Sequence, residues 1–129
     1  MVNKVYYVGK IDIEIYSCVT EHIITDEVII TDERISHIKT RHPNDFEMYC
    51  HFLKESVECP DYIIQANKPK SALILKTFEN NNRQFKMVLR LVTPNDNTQF
   101  KNSIITFMKI NNQEWNRLIN NKNILYKSE

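Results

Sequence analysis

Arg34, His37 and Arg41 are separated by three and four residues, so on a helix they share one face. Histidine exchanges a proton near neutral pH, and a guanidinium presents a planar fork of donors that pairs with phosphate oxygens. The chemistry open to such a trio is proton transfer beside a bound phosphate. Lys39 and His42 lie to the sides of this face, and Ile35 and Ile38 take the opposite or flanking face toward a core. For the helix alone, a solvated basic face with an incidental histidine is the plainer account.

Polar residues farther along the chain shift that balance. Arg90 interrupts the apolar run Met87-Val88-Leu89-Arg90-Leu91-Val92, and Thr106 and Lys109 punctuate Ile104 to Ile110. A charge inside a strong strand must face solvent, a partner or a polar cleft. Strand alternation puts Thr106 and Lys109 on opposite faces unless a bulge intervenes. Lys76 is a similar, weaker case. Cleaving RNA without a metal requires parts of this kind. One group takes the 2′-OH proton, another protonates the leaving oxygen, and cations or hydroxyls stabilise the crowded phosphate.

Other chemistries find less support. The single glycine, Gly9, excludes a Gly-rich phosphate loop. Asp32, Glu33, Asp45 and Glu47 sit at helix starts and read as capping residues, so no paired carboxylates remain for glycoside hydrolysis. His37, His42 and His51 are close in sequence, but Pro43 breaks the segment and no helical ligand spacing survives, so no metal or cofactor is expected. Cys18, Cys50 and Cys59 have no CxxC spacing and read as small, partly buried hydrophobes. No nucleophile-elbow signature is present. His22 reads as structural, His51 as a packed or edge histidine, and Tyr126 as a packing residue.

The elements that must position these groups follow from local signals. Thr31 is a good N-cap, Asp32 and Glu33 complement the helix dipole, and Pro43 ends the helix near Arg41. Asn44 with Glu47 resembles a capping box for a second helix, whose core stripe is Phe46, Tyr49, Phe52, Leu53 and Val57 and which Cys59-Pro60 stops. Residues 62–66, 72–78, 85–92 and 103–110 are rich in β-branched and aromatic residues. They are separated by the turn sequences 67–70, 79–82 and 94–97, which implies an antiparallel meander. Asn111 with Glu114 opens a final helix to about Lys122, with Trp115, Leu118 and Ile119 as its apolar face. In the N-terminal segment Ile11, Ile13 and Ile15 alternate with Asp12 and Glu14, and two or three strands are expected up to Thr31. The sum is an α+β domain with two helices packed on one face of a four-stranded antiparallel sheet, preceded by a β-rich extension at residues 1–29.

A length of 129 residues suits one domain, and 42% hydrophobic with 26% charged residues is the composition of a chain that folds. The net charge of +1 is unevenly placed. Residues 1–60 hold 6 Lys/Arg against 11 Asp/Glu, and residues 61–129 hold 11 against 5, so the halves carry −5 and +6. Such asymmetry marks either a basic face for a phosphate-bearing partner or a mixed solvated surface. No apolar run approaches the roughly 20 residues that cross a bilayer, and Met1 to Lys10 lacks the apolar core of a secretory signal, so no membrane role and a cytoplasmic setting are expected.

The order of these features is itself informative. The stretch Ile30 to Pro43, containing Asp32-Glu33-Arg34, His37-Ile38 and Arg41-His42-Pro43, is followed by a second helix, by Pro60-Asp61-Tyr62-Ile63, and by strands of which the last has a central Thr. This pattern resembles the PBECR group, phage- and mobile-element-associated domains of the barnase–EndoU–colicin–RelE nuclease superfamily. The resemblance runs from about Ile30 to the C-terminus, so residues 30–129 are expected to form the nuclease-like domain. It implies a metal-independent ribonuclease fold with helices on a four-stranded antiparallel sheet. By matching position it implies His37 as the catalytic histidine, Arg41 as its cationic neighbour, Arg90 as a strand arginine and Thr106 as a hydroxyl of the last strand. Arg34, Lys39, His42 and Lys109 are expected to bind RNA.

The leading expectation is a small endoribonuclease, with a toxin role on tRNA or another RNA, that leaves a 2′,3′-cyclic phosphate. A toxin implies a protein antitoxin or immunity partner. The alternatives are a non-catalytic nucleic-acid or protein-binding module of a mobile element, and a structural part of a larger phage protein.

Overall fold

The structure is a computed structural model and describes residues 4–78, 83–97 and 99–128. The strands are β1 (Val5–Lys10), β2 (Glu27–Thr31), β3 (Tyr62–Gln65), β4 (Ser71–Phe78), β5 (Arg83–Arg90), β6 (Asn102–Ile110) and β7 (Ile124–Lys127). The helices are α1 (Ile13–Tyr16), α2 (Asp32–Arg41), α3 (Asp45–Tyr49), α4 (Leu53–Glu58) and α5 (Asn112–Asn121), with a 3₁₀ turn at Cys50–Phe52. Among the described residues no helix is long and apolar enough to cross a membrane. The fold is α+β, as expected. The four expected strands are present as β3 to β6, with the expected antiparallel pairing. The turn expected at 79–82 lies outside the described residues.

The sheet has seven strands, not four, in the order β1-β2-β6-β5-β4-β3-β7. Two pairings extend the meander. β2 lies parallel to β6 over Val28↔Asn102 and Ile29↔Ser103, and β7 lies antiparallel to β3. β1 pairs antiparallel with β2, and Val28 and Ile30 enter the same core as Ile74 and Met87. Strand β2 therefore runs through residues 29 and 30 without a break, and the N-terminal segment shares the sheet and core of the rest.

Alternation along the strands creates two faces. On one, Ile30, Ile63, Ile74, Phe85, Met87, Leu89 and Phe107 pack with Ile38 of α2, Tyr49 of α3 and Leu53 and Val57 of α4. Phe85 is the centre of this core, stacked on Phe107 with centroids 5.0 Å apart and edge-on to Tyr49 at 5.0 Å. On the other face Ile64, Leu73, Leu75 and Ile110 pack with Trp115 and Leu118 of α5. The helices thus cover both faces, not one. Neighbouring residues Ile63 and Ile64 point to opposite cores, so β3 must be apolar on both sides.

The local signals differ in how they are realised. Thr31 caps α2, its Oγ1 accepting the Arg34 N–H at 3.3 Å, and Asn111 caps α5, its Oδ1 accepting the Glu114 N–H at 2.8 Å. Asn44 does not cap. Its φ of 74° is left-handed and its side chain makes no cap bond, because it absorbs the turn after Pro43. The expected second helix is broken into α3, the 3₁₀ turn and α4. The alternating Ile11-Asp12-Ile13-Glu14-Ile15 is not a strand. Asp12 instead caps α1 by accepting the Glu14 N–H at 3.0 Å, and buried Tyr16 donates its O–H to the Val57 carbonyl at 2.7 Å. At Gly9 the chain passes so close to α4 that a Cβ would lie 2.7 Å from Glu58 Oε2, an atom that accepts the Lys10 N–H at 3.2 Å.

Candidate active site

The site is built where α5 stops covering its face of the sheet. Ser71, Val88, Arg90 and Ile105 floor a cleft of about 470 Å³. One wall is Arg34 from the first turn of α2. The other is Ala66, Asn67 and Lys68 from the turn between β3 and β4. The register explains the floor: Arg90 stands opposite Ser71 on one side and Ser103 on the other. Arg90 alternates with Leu89, which is in the opposite core, so its guanidinium must emerge on the α5 face.

Arg34 also lines a second concavity, a groove of about 260 Å³ along α2 with Glu33, Ser36, His37 and Thr40. The cleft and the groove therefore meet at Arg34. His37 and Arg41 are exposed on the helix, and Arg34 is half-buried. Among the described residues Arg34, Arg41 and Lys68 have no carboxylate at ion-pair distance. Arg34 and Lys68 line the cleft, so their charges are available to an anion that enters it, whereas Arg41 lines neither concavity.

Arg90 is differently placed. Nη1 donates to the Leu91 carbonyl, and Nη2 donates to Asp96 Oδ1 at 2.9 Å. Asp96 Oδ2 accepts the Thr93 N–H at 2.9 Å and the Thr93 hydroxyl at 3.2 Å, and lies 3.7 Å from Lys70 Nζ. The Thr93 N–H, then Arg90 and Lys70, hold the Asp96 carboxyl at about 2. Arg90 thus ties the cleft floor to the loop after β5. Two of its five N–H donors are committed to protein, and three remain for a ligand.

The other expected residues fall in several places. Thr106 stands opposite Val88 and faces the cleft side, but it does not line the cleft. A bulge between Val88 and Leu89 of β5 makes Ile105 the extra residue of β6, and Ile105 takes the lining position. The bulge precedes Thr106, so Thr106 and Lys109 stay on opposite faces. Lys109 is opposite Phe85, on the side away from the cleft. Lys39 is also turned away, 3.3 Å from Glu47 of α3 and 5.7 Å from the Phe46 ring centre. His42 is the half-buried C-cap of α2. The structure thus joins Arg34 to His37 and Arg34 to Arg90, and leaves Lys39 and Lys109 apart.

Two polar residues of the cleft, Lys68 and Ser71, and the carboxylate that holds its arginine, Asp96, went unread in the sequence. Lys68 and Lys70 flank Pro69 in a segment read only as a turn, and two lysines at a strand junction were the available signal. Ser71 carries no local signal, since its place comes from strand register, and Asp96 lies in a turn sequence that does not show it reaching back to Arg90. Lys76, in contrast, is structural. Its ammonium is buried against the Cys59 carbonyl at 2.6 Å and Asp61 Oδ1 at 3.4 Å.

Two further corrections concern reactive side chains. Cys18, Cys50 and Cys59 are all exposed and free, not partly buried, because each sits in a loop or at a helix end outside both cores. His22 is not structural. It is exposed at φ 59° in the loop before β2, 3.8 Å from Glu21. His51 is an exposed histidine whose ring centre lies 4.1 Å from that of Phe52. Among the described residues no three His, Cys, Asp or Glu side chains converge as a metal-binding group.

No curated protein and no solved structure matches the chain. A family model does match: that of the phage-Barnase-EndoU-ColicinE5/D-RelE like nuclease 2 family, PBECR2, over residues 6–127. The match takes in β1 and β2 as well as the region from Ile30 onward, in keeping with one sheet that contains them all. An α+β sheet with a basic cleft beside a histidine-bearing helix, matched over nearly its whole length, places this chain in the PBECR2 family of phage-associated BECR-like nucleases.

Proposed function

We propose that the chain is an endoribonuclease that needs no metal and leaves a 2′,3′-cyclic phosphate. The observation that carries this reading is the position of Arg34, which borders both the groove holding His37 and the cleft holding Arg90. A phosphodiester held at Arg34 lies between a proton-exchanging group and further cations. In the proposed reaction the 2′-oxygen of the substrate attacks the adjacent phosphorus and the bond to the 5′-oxygen breaks. His37 serves as the general acid or base, taking the 2′-OH proton or supplying one to the departing 5′-oxygen. Arg34, Arg90 and Lys68 stabilise charge on the non-bridging oxygens, Arg41 adds a cation on the same face of α2, and Thr106 offers a strand hydroxyl on the cleft side of β6. A cellular RNA such as tRNA is the proposed substrate, and a toxin role in the cytoplasm the proposed setting. An antitoxin or immunity protein that covers this cleft would present carboxylates to Arg34 and Lys68.

A second reading has one observation in its favour. Arg90 is already paired with Asp96, which suits a module that binds RNA without turnover. The two are separated by incubating total cellular RNA in EDTA with the wild type and with His37→Ala of equal helix content. Discrete products ending in 2′,3′-cyclic phosphate from the wild type alone support the nuclease reading. Intact RNA with both proteins, together with salt-sensitive RNA binding, replaces it with the binding module.

A further inference from the structure

The exposed face of the sheet continues past the cleft. Four pairings link five strands in one row: Tyr7↔Ile29, Ile29↔Ser103, Ser103↔Arg90 and Arg90↔Ser71. Each residue of the row alternates with one in the helix-covered core, or pairs with a residue that does, so all five side chains point to the cleft side. Three strand spacings separate Tyr7 from Arg90, about 14 Å along the sheet. Only Ile29 and Ser103 lie between them in the row, and neither carries charge.

Tyr7 is 58% exposed, and Val5, on the same face of β1, is 57% exposed. Its neighbour Tyr6 points the other way and hydrogen-bonds Asp32, which raises the Tyr6 hydroxyl above its ordinary value. The carboxylates near the path are engaged. Glu27 pairs with Lys101 at 3.3 Å, and Asp96 pairs with Arg90 and Lys70.

We propose that Tyr7, paired across the strands with Ile29 and on the same face as Val5, is a stacking platform for an unpaired base of single-stranded RNA whose phosphate backbone runs to Arg34, Arg90 and Lys68. This rests on the nuclease reading and extends it to a substrate of several nucleotides. A planar ring open on one side accepts any base, because every base has a π-face. The cleft at one end of the row, where Arg34 and Lys68 are unpaired beside Arg90, and the uncharged ring at the other end suit a polyanion with aromatic side groups. A protein strand would instead need the carboxylates that only its own sequence could supply.

The test uses fluorescein-labelled, uncleavable 2′-O-methyl RNA, as a dinucleotide and as a hexanucleotide, with anisotropy as the readout. Cleavage of total RNA is followed in parallel. Stacking of one base implies that Tyr7→Ala weakens hexanucleotide binding about tenfold and leaves the dinucleotide unchanged. Tyr7→Phe retains the wild-type affinity, and Tyr6→Phe is indistinguishable from wild type. Equal hexanucleotide affinity for wild type and Tyr7→Ala, with RNA still cleaved, overturns the platform and leaves the nuclease reading standing. The absence of both binding and cleavage in the wild type overturns both. Loss of a protein contact on Tyr7→Ala without loss of RNA affinity assigns the ring to a protein partner and overturns the proposal.

Discussion

Arg90 and Asp96 meet across the loop that follows β5, Nη2 of the arginine donating to Oδ1 of the aspartate at 2.9 Å. The same carboxylate accepts the Thr93 N–H, so one side chain orders the loop and holds a cation of the cleft floor.

This pair makes acid sensitivity a structural property of the site. The Asp96 carboxyl is held at about 2, below its ordinary value of 3.8, and Glu114 is held at about 2 by Arg117 and Lys86. Both are depressed by folding, so between the two values the unfolded chain binds more protons. Their stabilisation is fully present above the unfolded values and is lost as pH falls toward 2. Urea midpoints measured from pH 7 to pH 2 should be level down to about pH 5 and then fall. Asp96→Asn should make that fall shallower, and an unchanged acid limb would show that Asp96 is not so held.

Arg34 borders both concavities, whereas Lys39 and Lys109 are turned from them. Arg34→Ala should lower kcat/KM for RNA about a hundredfold, the usual cost of removing an oriented donor from a developing oxyanion. Lys39→Ala and Lys109→Ala should each cost less than threefold. Equal losses at all three positions would indicate a diffuse basic surface in place of a cleft.

Tyr16 is fully buried, and its O–H donates to the Val57 carbonyl. Burial pushes the Tyr16 hydroxyl well above its usual range, so it remains a donor at every ordinary pH. Tyr16→Phe should destabilise the protein by about 1 kcal/mol, read from the urea midpoint, because the carbonyl loses its partner in a dry site. Activity at low temperature should be unchanged.

Thr31 ends β2 and caps α2. Thr31→Ala should cost about 1 kcal/mol. Because α2 carries Arg34 and His37, cleavage should also fall, while Thr31→Ser should restore both. Rescue of stability without rescue of cleavage would separate the cap from the site.

Both capped helices, α2 and α5, were legible because a capping side chain and its partner N–H are three residues apart. The strands β3 to β6 were legible because runs of β-branched and aromatic residues survive between turn residues. The failures came where a local pattern had two solutions. Ile11 to Ile15 alternate as a strand does, yet the Asp12 cap and the burial of Tyr16 under α4 favour a helical turn. Asn44 and Glu47 have capping-box spacing, yet the exit from Pro43 needs a left-handed residue, and Asn tolerates it.

Local sequence was enough to read the helix that presents Arg34, His37 and Arg41 on one face, the arginine inside β5, and the resemblance that the family match bears out. It took the folded sheet to bring Arg34, Arg90 and Lys68 to one cleft, to put Ile105 in its lining where Thr106 was expected, and to set Tyr7 in a row with Arg90. The difference is one of range. Caps and alternation are contacts within a few residues, and their energies depend on local identity. The row and the cleft depend on register between strands far apart in the chain, set by which face of each strand can be buried and by one extra residue in β6.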